Sequence, residues 1–180
     1  MTGRERVLTV LRGELPDRVP FCPNIGQWFD YHKANGTLPE ELRDCQDELD
    51  AMLRLGCDIF SRRLGGFVKT VHYEHETVTE NLGDGWTRTT IKTPVGSVSK
   101  LEKFERESWT TYEHEHYLKD FDRDFPVLKY VIEHTDWAFD EEAFRRVDER
   151  VGDAGVVMVP FFQSPIKLLH NWAGQTAATY

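Results

Sequence analysis

The stretch Gly56-Cys57-Asp58-Ile59-Phe60 decides how the first part of the chain is read. Cys57 to Phe60 is a short run, mostly apolar, that follows a helix stop, which suits a buried strand. Upstream, Pro39 fits the first turn of a helix and Glu40 and Glu41 favour its positive end. Leu42, Cys45, Leu49, Met52 and Leu53 are spaced for one buried face of that helix, and Gly56 ends it. Earlier still, Val19-Pro20-Phe21-Cys22 reads as another short strand, with Pro20 restricted to its start or an edge. The chain opens on a helix: Thr2 and Glu5 have capping-box spacing, Val7, Leu8, Val10 and Leu11 form its apolar stripe, and Gly13 stops it. Helix, strand, helix, strand is the wiring of an α/β protein.

From Lys69 to Phe104 the period changes to that of β-structure. Val71, Tyr73 and Val78 lead to a turn at Gly83-Asp84-Gly85, Trp86 to Lys92 follows, Thr93-Pro94-Val95-Gly96 turns again, and Ser97 to Phe104 completes the set. This predicts an antiparallel excursion that either covers one end of the fold, where it could form a lid, or packs beside it, because antiparallel strands cannot extend a parallel ladder without a crossover. Helices are then predicted over Asp124 to His134 and Asp140 to Arg150, the latter capped by Asp140. Val156-Val157-Met158-Val159 has the pattern of a buried strand, and Ser164-Pro165 opens a helix through Leu168, Leu169 and Trp172.

With 180 residues, 39% hydrophobic and 29% charged, the composition is that of one ordinary globular domain. A net charge of -9 leaves no basic face for phosphate backbones, so nucleic acid is not expected as a partner. No apolar run approaches the roughly 18 residues of a membrane span. Met1 to Arg12 is amphipathic and unlike a secretion leader, so a cytoplasmic protein is expected. Cys22, Cys45 and Cys57 form no C-x-x-C pair and are odd in number, which fits reduced thiols filling a core.

Arg4-Glu5-Arg6-Val7-Leu8, Leu11-Arg12-Gly13-Glu14 and Pro16-Asp17-Arg18-Val19-Pro20 resemble the entry segment of the uroporphyrinogen decarboxylase superfamily. Gly56-Cys57-Asp58-Ile59-Phe60, Thr93-Pro94-Val95-Gly96-Ser97 and the segment Val156 to Trp172 with Ser164-Pro165 extend the likeness over most of the chain. The resemblance implies the N-terminal half of a (β/α)8 barrel, a single incomplete domain over residues 1–180 with an inserted β-hairpin region at 69–104. A half barrel would leave open strand edges, so a homodimer or a partner half-barrel is expected.

Two chemistries belong to the superfamily. Its decarboxylases hold pyrrole nitrogens with an aspartate after a Phe-Ser pair and substrate carboxylates with arginines of an early loop. Here Arg62 follows Phe60-Ser61, the early loop Asn24-Ile25-Gly26-Gln27-Trp28 carries no arginine, and Asn171 or Trp172 stands near the place of a family tyrosine. An arginine would repel a cationic pyrrole intermediate. The resemblance is therefore to the divergent members that transfer methyl groups between a corrinoid protein and a thiol. Their zinc deprotonates the thiol, and its ligands, a His-x-Cys and a later Cys, belong to the second half of such barrels. Within these 180 residues the resemblance implies no cofactor. The expected function is corrinoid-linked methyl transfer, with uroporphyrinogen decarboxylation in porphyrin synthesis as the alternative. A truncated, non-catalytic interaction module is the reading from a different class.

No catalytic residue is assigned. Residues at or just beyond the predicted strand ends are the candidates for binding a small-molecule substrate: Asn24, Gln27, Trp28, Asp58, Arg62, Arg63 and Gln163. Arg62 and Arg63, before Gly65-Gly66, suit a clamp for carboxylate or phosphate, or equally a solvated turn. Cys22 at a strand end is a nucleophile candidate, or core. His72-Tyr73-Glu74-His75-Glu76 and His114-Glu115-His116 place ligand-type residues on shared strand faces, which are either metal-binding or simply wet.

Overall fold

The computed structural model describes residues 1–60, 63–65, 67–159 and 163–178, with His72 described by its backbone alone. The chain divides into two compact units, one of residues 1–69 and 139–161, the other of residues 70–138 and 162–180.

The first unit is helical. Helix α1 (Gly3–Leu11) starts on the predicted capping box: Thr2 Oγ1 accepts from the Glu5 amide at 3.1 Å and Glu5 Oε2 accepts from the Thr2 amide at 2.7 Å. Helix α2 (Gly26–Ala34) has Ile25 at its N-cap, so no side chain closes its first turn, and it buries Phe29. A 3-10 turn (Glu40–Leu42) precedes α3 (Glu48–Arg54), which Asp47 caps by accepting from the Asp50 amide at 3.0 Å. Helix α3 serves two apolar clusters at once. Ala51 packs with Phe29, Leu38, Leu42 and Cys45. Leu49 and Met52 pack with Cys57, Ile59, Phe67, Val151 and Val157. Val151 ends helix α5 (Glu141–Val151), capped by Asp140 as the sequence predicts.

The second unit carries a four-stranded antiparallel sheet in the order β2 (Glu76–Gly83), β3 (Trp86–Thr93), β4 (Gly96–Glu105), β5 (Thr110–Glu115). Thr93 pairs with Gly96 across the Pro94-Val95 turn, and Trp86 pairs with Lys103. One face is covered by α4 (Phe121–Glu133), whose Val127 and Leu128 pack on Ile91 and Val98. Ser164 caps α6 (Pro165–Ala177), and Trp172 joins that cluster. Gly174 interrupts α6 at φ 79°, and a Cβ there would sit 2.7 Å from the His116 imidazole. A separate two-stranded sheet pairs β1 (Val68–His72) with β6 (Thr135–Phe139).

The expected partial barrel is not formed. The four-stranded sheet pairs antiparallel throughout, and among the described residues the parallel pairing is one isolated bridge, Ile59 with Gly155. Val19 to Cys22, Cys57 to Phe60 and the described Val156 to Val159 are not strands. A parallel ladder needs a neighbour along the whole length of each strand. Ile59 bonds to Ala154 and Val156, but Val19 and Phe21 are 83% and 58% exposed. Short apolar runs of this kind can fill a core without forming a ladder, as those around Ile59 and Val157 do. The long second helix predicted from Pro39 also breaks, because Asp47 restarts the chain as α3. The antiparallel excursion is present and runs on to Glu115, past the expected end at 104.

Candidate functional site

Asp58 is 2% exposed and surrounded by donors. Its Oδ1 accepts from Arg6 Nη1 and from Arg18 Nη2 at 3.3 Å, and its Oδ2 accepts from the Phe21 amide at 2.9 Å and pairs with Arg18 Nη1 at 2.9 Å. Arg6 in turn reaches Asp17 Oδ1 at 2.7 Å and the Met1 carbonyl at 2.8 Å. Bonding to Arg6 holds the Asp17 carboxyl well below the usual carboxylate range. Asp58, expected to bind substrate, therefore spends its lone pairs tying the three motif segments 4–8, 16–20 and 56–60 together. Beside it, burial pushes the Cys22 thiol up, which makes it a poor nucleophile at neutral pH.

Arg63 occupies a cavity of about 280 Å³ in the first unit. Its guanidinium lies on the first residue of α2: a Cβ at Gly26 would fall 2.3 Å from the Arg63 guanidinium carbon. Arg63 Nη2 donates to Asp30 Oδ2 at 2.6 Å, and Nε sits 3.0 Å from Glu48 Oε2. Across the cavity Arg150 donates from both terminal nitrogens to Asp47, each at 2.6 Å, and from Nη2 to Asp50 at 2.6 Å. These contacts lower the carboxyls of Asp47 and Asp50. Leu49, Leu64 and Val147 supply the apolar wall.

Glu48 stands apart from the other acids. Its side chain is 9% exposed, and Oε1 has no hydrogen-bond partner. Burial pushes its carboxyl up against the opposing pull of Arg63, with Asp30 and Asp47 adding to the rise. A buried carboxyl with a raised pKa in a lined cavity is the kind of group that binds or moves protons.

Of the other predicted residues, Asn24, Gln27 and Trp28 are exposed around the start of α2, Trp28 with its ring 4.9 Å from that of His32. Gln163 lies in the second unit, where its Oε1 accepts from Asn171 Nδ2 at 2.7 Å. Arg62 lies outside the described residues. Sequence reading missed Glu48, Asp30, Asp47 and Arg150. A signal existed for Glu48: Cys45, Glu48, Leu49 and Met52 share helical spacing, which sets a carboxylate among apolar positions.

A second cavity, of about 450 Å³, lies in the other unit against Glu74, His75, Glu76, Lys92, Thr93 and Pro94. Its acids are engaged, Glu76 with Lys92 at 3.0 Å and Glu74 with the Tyr130 hydroxyl at 2.6 Å. His114 packs on Trp86 with ring centres 4.6 Å apart, and His116 Nδ1 lies 3.2 Å from Glu113. Among the described residues no group of three or more His, Cys, Asp or Glu is placed to hold a metal ion. No described helix is long and apolar enough to cross a membrane. No family profile, curated protein or solved structure matches the chain.

Proposed function

We propose that this chain is a divergent member of the uroporphyrinogen decarboxylase superfamily serving corrinoid-linked methyl transfer, with a small-molecule substrate and a corrinoid protein as its partners. The observation that supports the family reading is the convergence on Asp58. The residues that carry the resemblance, Arg6, Asp17, Arg18 and Asp58, come from separate segments and meet in one ion cluster. The reading rests on those residues and not on a barrel.

Charge favours methyl transfer over decarboxylation of a porphyrinogen. A polycarboxylate substrate needs cations left over for it. Among the described residues that line the cavity of the first unit, Arg63 faces Asp30 and Glu48, and Arg150 faces Asp47. Three carboxylates there engage both guanidiniums, which leaves neither of them over for such a substrate. The cavity, at about 280 Å³, suits a small substrate better than a tetrapyrrole.

The test is an assay of the full-length gene product with methylcobamide and a thiol, followed by the visible spectrum of the cobamide, in parallel with carbon dioxide release from uroporphyrinogen. Demethylation without carbon dioxide release is expected. Carbon dioxide release would overturn the reading, and so would the absence of both activities in folded protein.

A further inference from the structure

We propose that Cys22 and Cys57 form a dithiol site that a small disulfide of the glutathione class oxidises to an intramolecular bond, latching the segment before α2 to the Asp58 cluster. The site goes beyond the methyl-transfer reading and does not depend on it.

One hydrogen bond sets the distance. The Asp58 amide donates to the Phe21 carbonyl at 2.9 Å, so the peptide group that joins Phe21 to Cys22 is bonded directly to the one that joins Cys57 to Asp58. In a trans peptide the following Cα lies about 2.8 Å from the carbonyl oxygen, and the preceding Cα about 2.4 Å from the amide nitrogen. The Cα atoms of Cys22 and Cys57 are therefore at most about 8 Å apart, and nearer wherever the path bends at the oxygen. A disulfide spans about 4.4–6.8 Å between Cα atoms, so the pair needs little backbone movement to close. A second bond, from the Phe21 amide to Asp58 Oδ2 at 2.9 Å, fixes the same junction. Burial, then Asp58, push both thiols up, and Cys57 adds to the rise at Cys22.

Exposure assigns the order of attack. Cys22 is half-buried and Cys57 is buried, so Cys22 meets the oxidant first. Its thiolate displaces one glutathione thiolate and forms a mixed disulfide. The Cys57 thiolate then attacks the Cys22 sulfur and expels the second glutathione. Two protein thiols lose two protons and two electrons, and the oxidant becomes two thiols. Cys45 is no competitor, since it packs with Phe29, Leu38 and Leu42 while Cys57 packs with Leu49, Met52 and Ile59. The closed ring contains α2 and α3, and closing it restricts the unfolded chain. Whatever the bond adds to the fold, the fold adds to the bond.

The test is equilibration of the full wild-type chain with oxidised and reduced glutathione at about pH 8.5, where more of each raised thiol is ionised, once folded and once in urea. Thiols are then alkylated and the peptides mapped by mass. In the folded chain Cys22 and Cys57 are expected in one joined peptide pair, with Cys45 alkylated and the bond at least about tenfold more favoured than in urea. Cys57→Ser should stop at the mixed disulfide on Cys22. The mapping needs no variant and stands if Cys57→Ser fails to fold. The proposal is overturned if the folded chain keeps both thiols, retains glutathione on Cys22, joins Cys45 or a second chain, or favours the bond no more than urea does.

Discussion

Arg6 on α1 and Asp58 after α3, separated by 52 positions in sequence, form a buried ion pair in which Arg6 Nη1 donates to Asp58 Oδ1. Both residues are nearly inaccessible, at 6% and 2% exposure. Desolvating two charges is expensive, and the arrangement holds because Asp58 receives further donors from Arg18 and the Phe21 amide.

Breaking that pair should therefore hurt more than replacing it. Asp58→Leu leaves the buried Arg6 guanidinium to Asp17 and the Met1 carbonyl, and Arg6→Met leaves the buried Asp58 carboxylate to Arg18 and the Phe21 amide, so each single variant should lower the urea midpoint. The double variant removes both charges and should recover part of the loss, as buried ion pairs exchanged for apolar groups often do. Equilibrium unfolding of the four proteins checks this. A double variant no more stable than the worse single would contradict it.

The bridge between Ile59 and Gly155 makes a second demand on sequence. Ile59 donates to the Ala154 carbonyl at 2.8 Å and accepts from the Val156 amide at 2.8 Å, which draws the two backbones together at Gly155. A Cβ at Gly155 would lie 2.0 Å from the Ile59 carbonyl oxygen and 2.6 Å from its carbonyl carbon and Cα, all backbone atoms that cannot swing aside. Gly155→Ala should cost about 1–3 kcal/mol, the usual range for overpacking. Gly65→Ala, with open space around the new methyl, should stay within about 0.5 kcal/mol. Denaturant midpoints measure both, and equal effects would rule out close approach as the reason for glycine at 155.

What the sequence made legible was local, and what it hid was long-range. The capping box of Thr2 and Glu5, the caps at Asp140 and Ser164 and the turn at Pro94-Val95 each depend on residues a few positions apart, and all appear where their spacing predicts. Pairing of apolar runs depends on distant neighbours. Val19-Pro20-Phe21-Cys22 and Val156-Val157-Met158-Val159 have strand-like composition but no ladder, and nothing in their own residues announces this. Residues Thr110 to Glu115, six polar or aromatic residues, carry the antiparallel set past its expected end at 104 because Phe104 and Lys103 offer them an edge. At the cavity, Arg63 was legible from its place after a predicted strand. Asp30, Asp47 and Arg150 were not, because nothing in their own spacing marked them until residues from four parts of the chain came together, and Glu48 was marked only by its place among apolar helix positions.

Acid should unfold the protein from the side of its paired aspartates. Asp124 shows why. Its Oδ2 accepts from the Lys119 amide at 2.8 Å and the Asp120 amide at 2.9 Å, and its Oδ1 from Arg123 Nε at 2.6 Å. Bonding to Arg123, then to those amides, holds the carboxyl well below the usual range. Asp17, Asp47 and Asp50 are lowered in the same way by Arg6 and Arg150. A carboxyl depressed in the fold contributes stability that is present above its unfolded value, about 4, and is lost as pH falls through the folded value. Glu48 has the opposite sign: a raised carboxyl contributes below its unfolded value and loses that contribution as pH rises through the folded one. The lowered groups outnumber it, so stability should fall as pH drops below about 4. Asp124→Asn isolates one of them. The variant should be less stable than wild type at about pH 7 and nearly equal to it at about pH 1, where both side chains are neutral in the unfolded chain and most of the contribution of the folded charge has been lost. Urea midpoints at the two pH values, or hydrogen exchange in α4 where acid unfolds the wild type outright, measure that convergence. A gap of the same size at both pH values would mean that Asp124 acts through shape and hydrogen bonding and not through its charge.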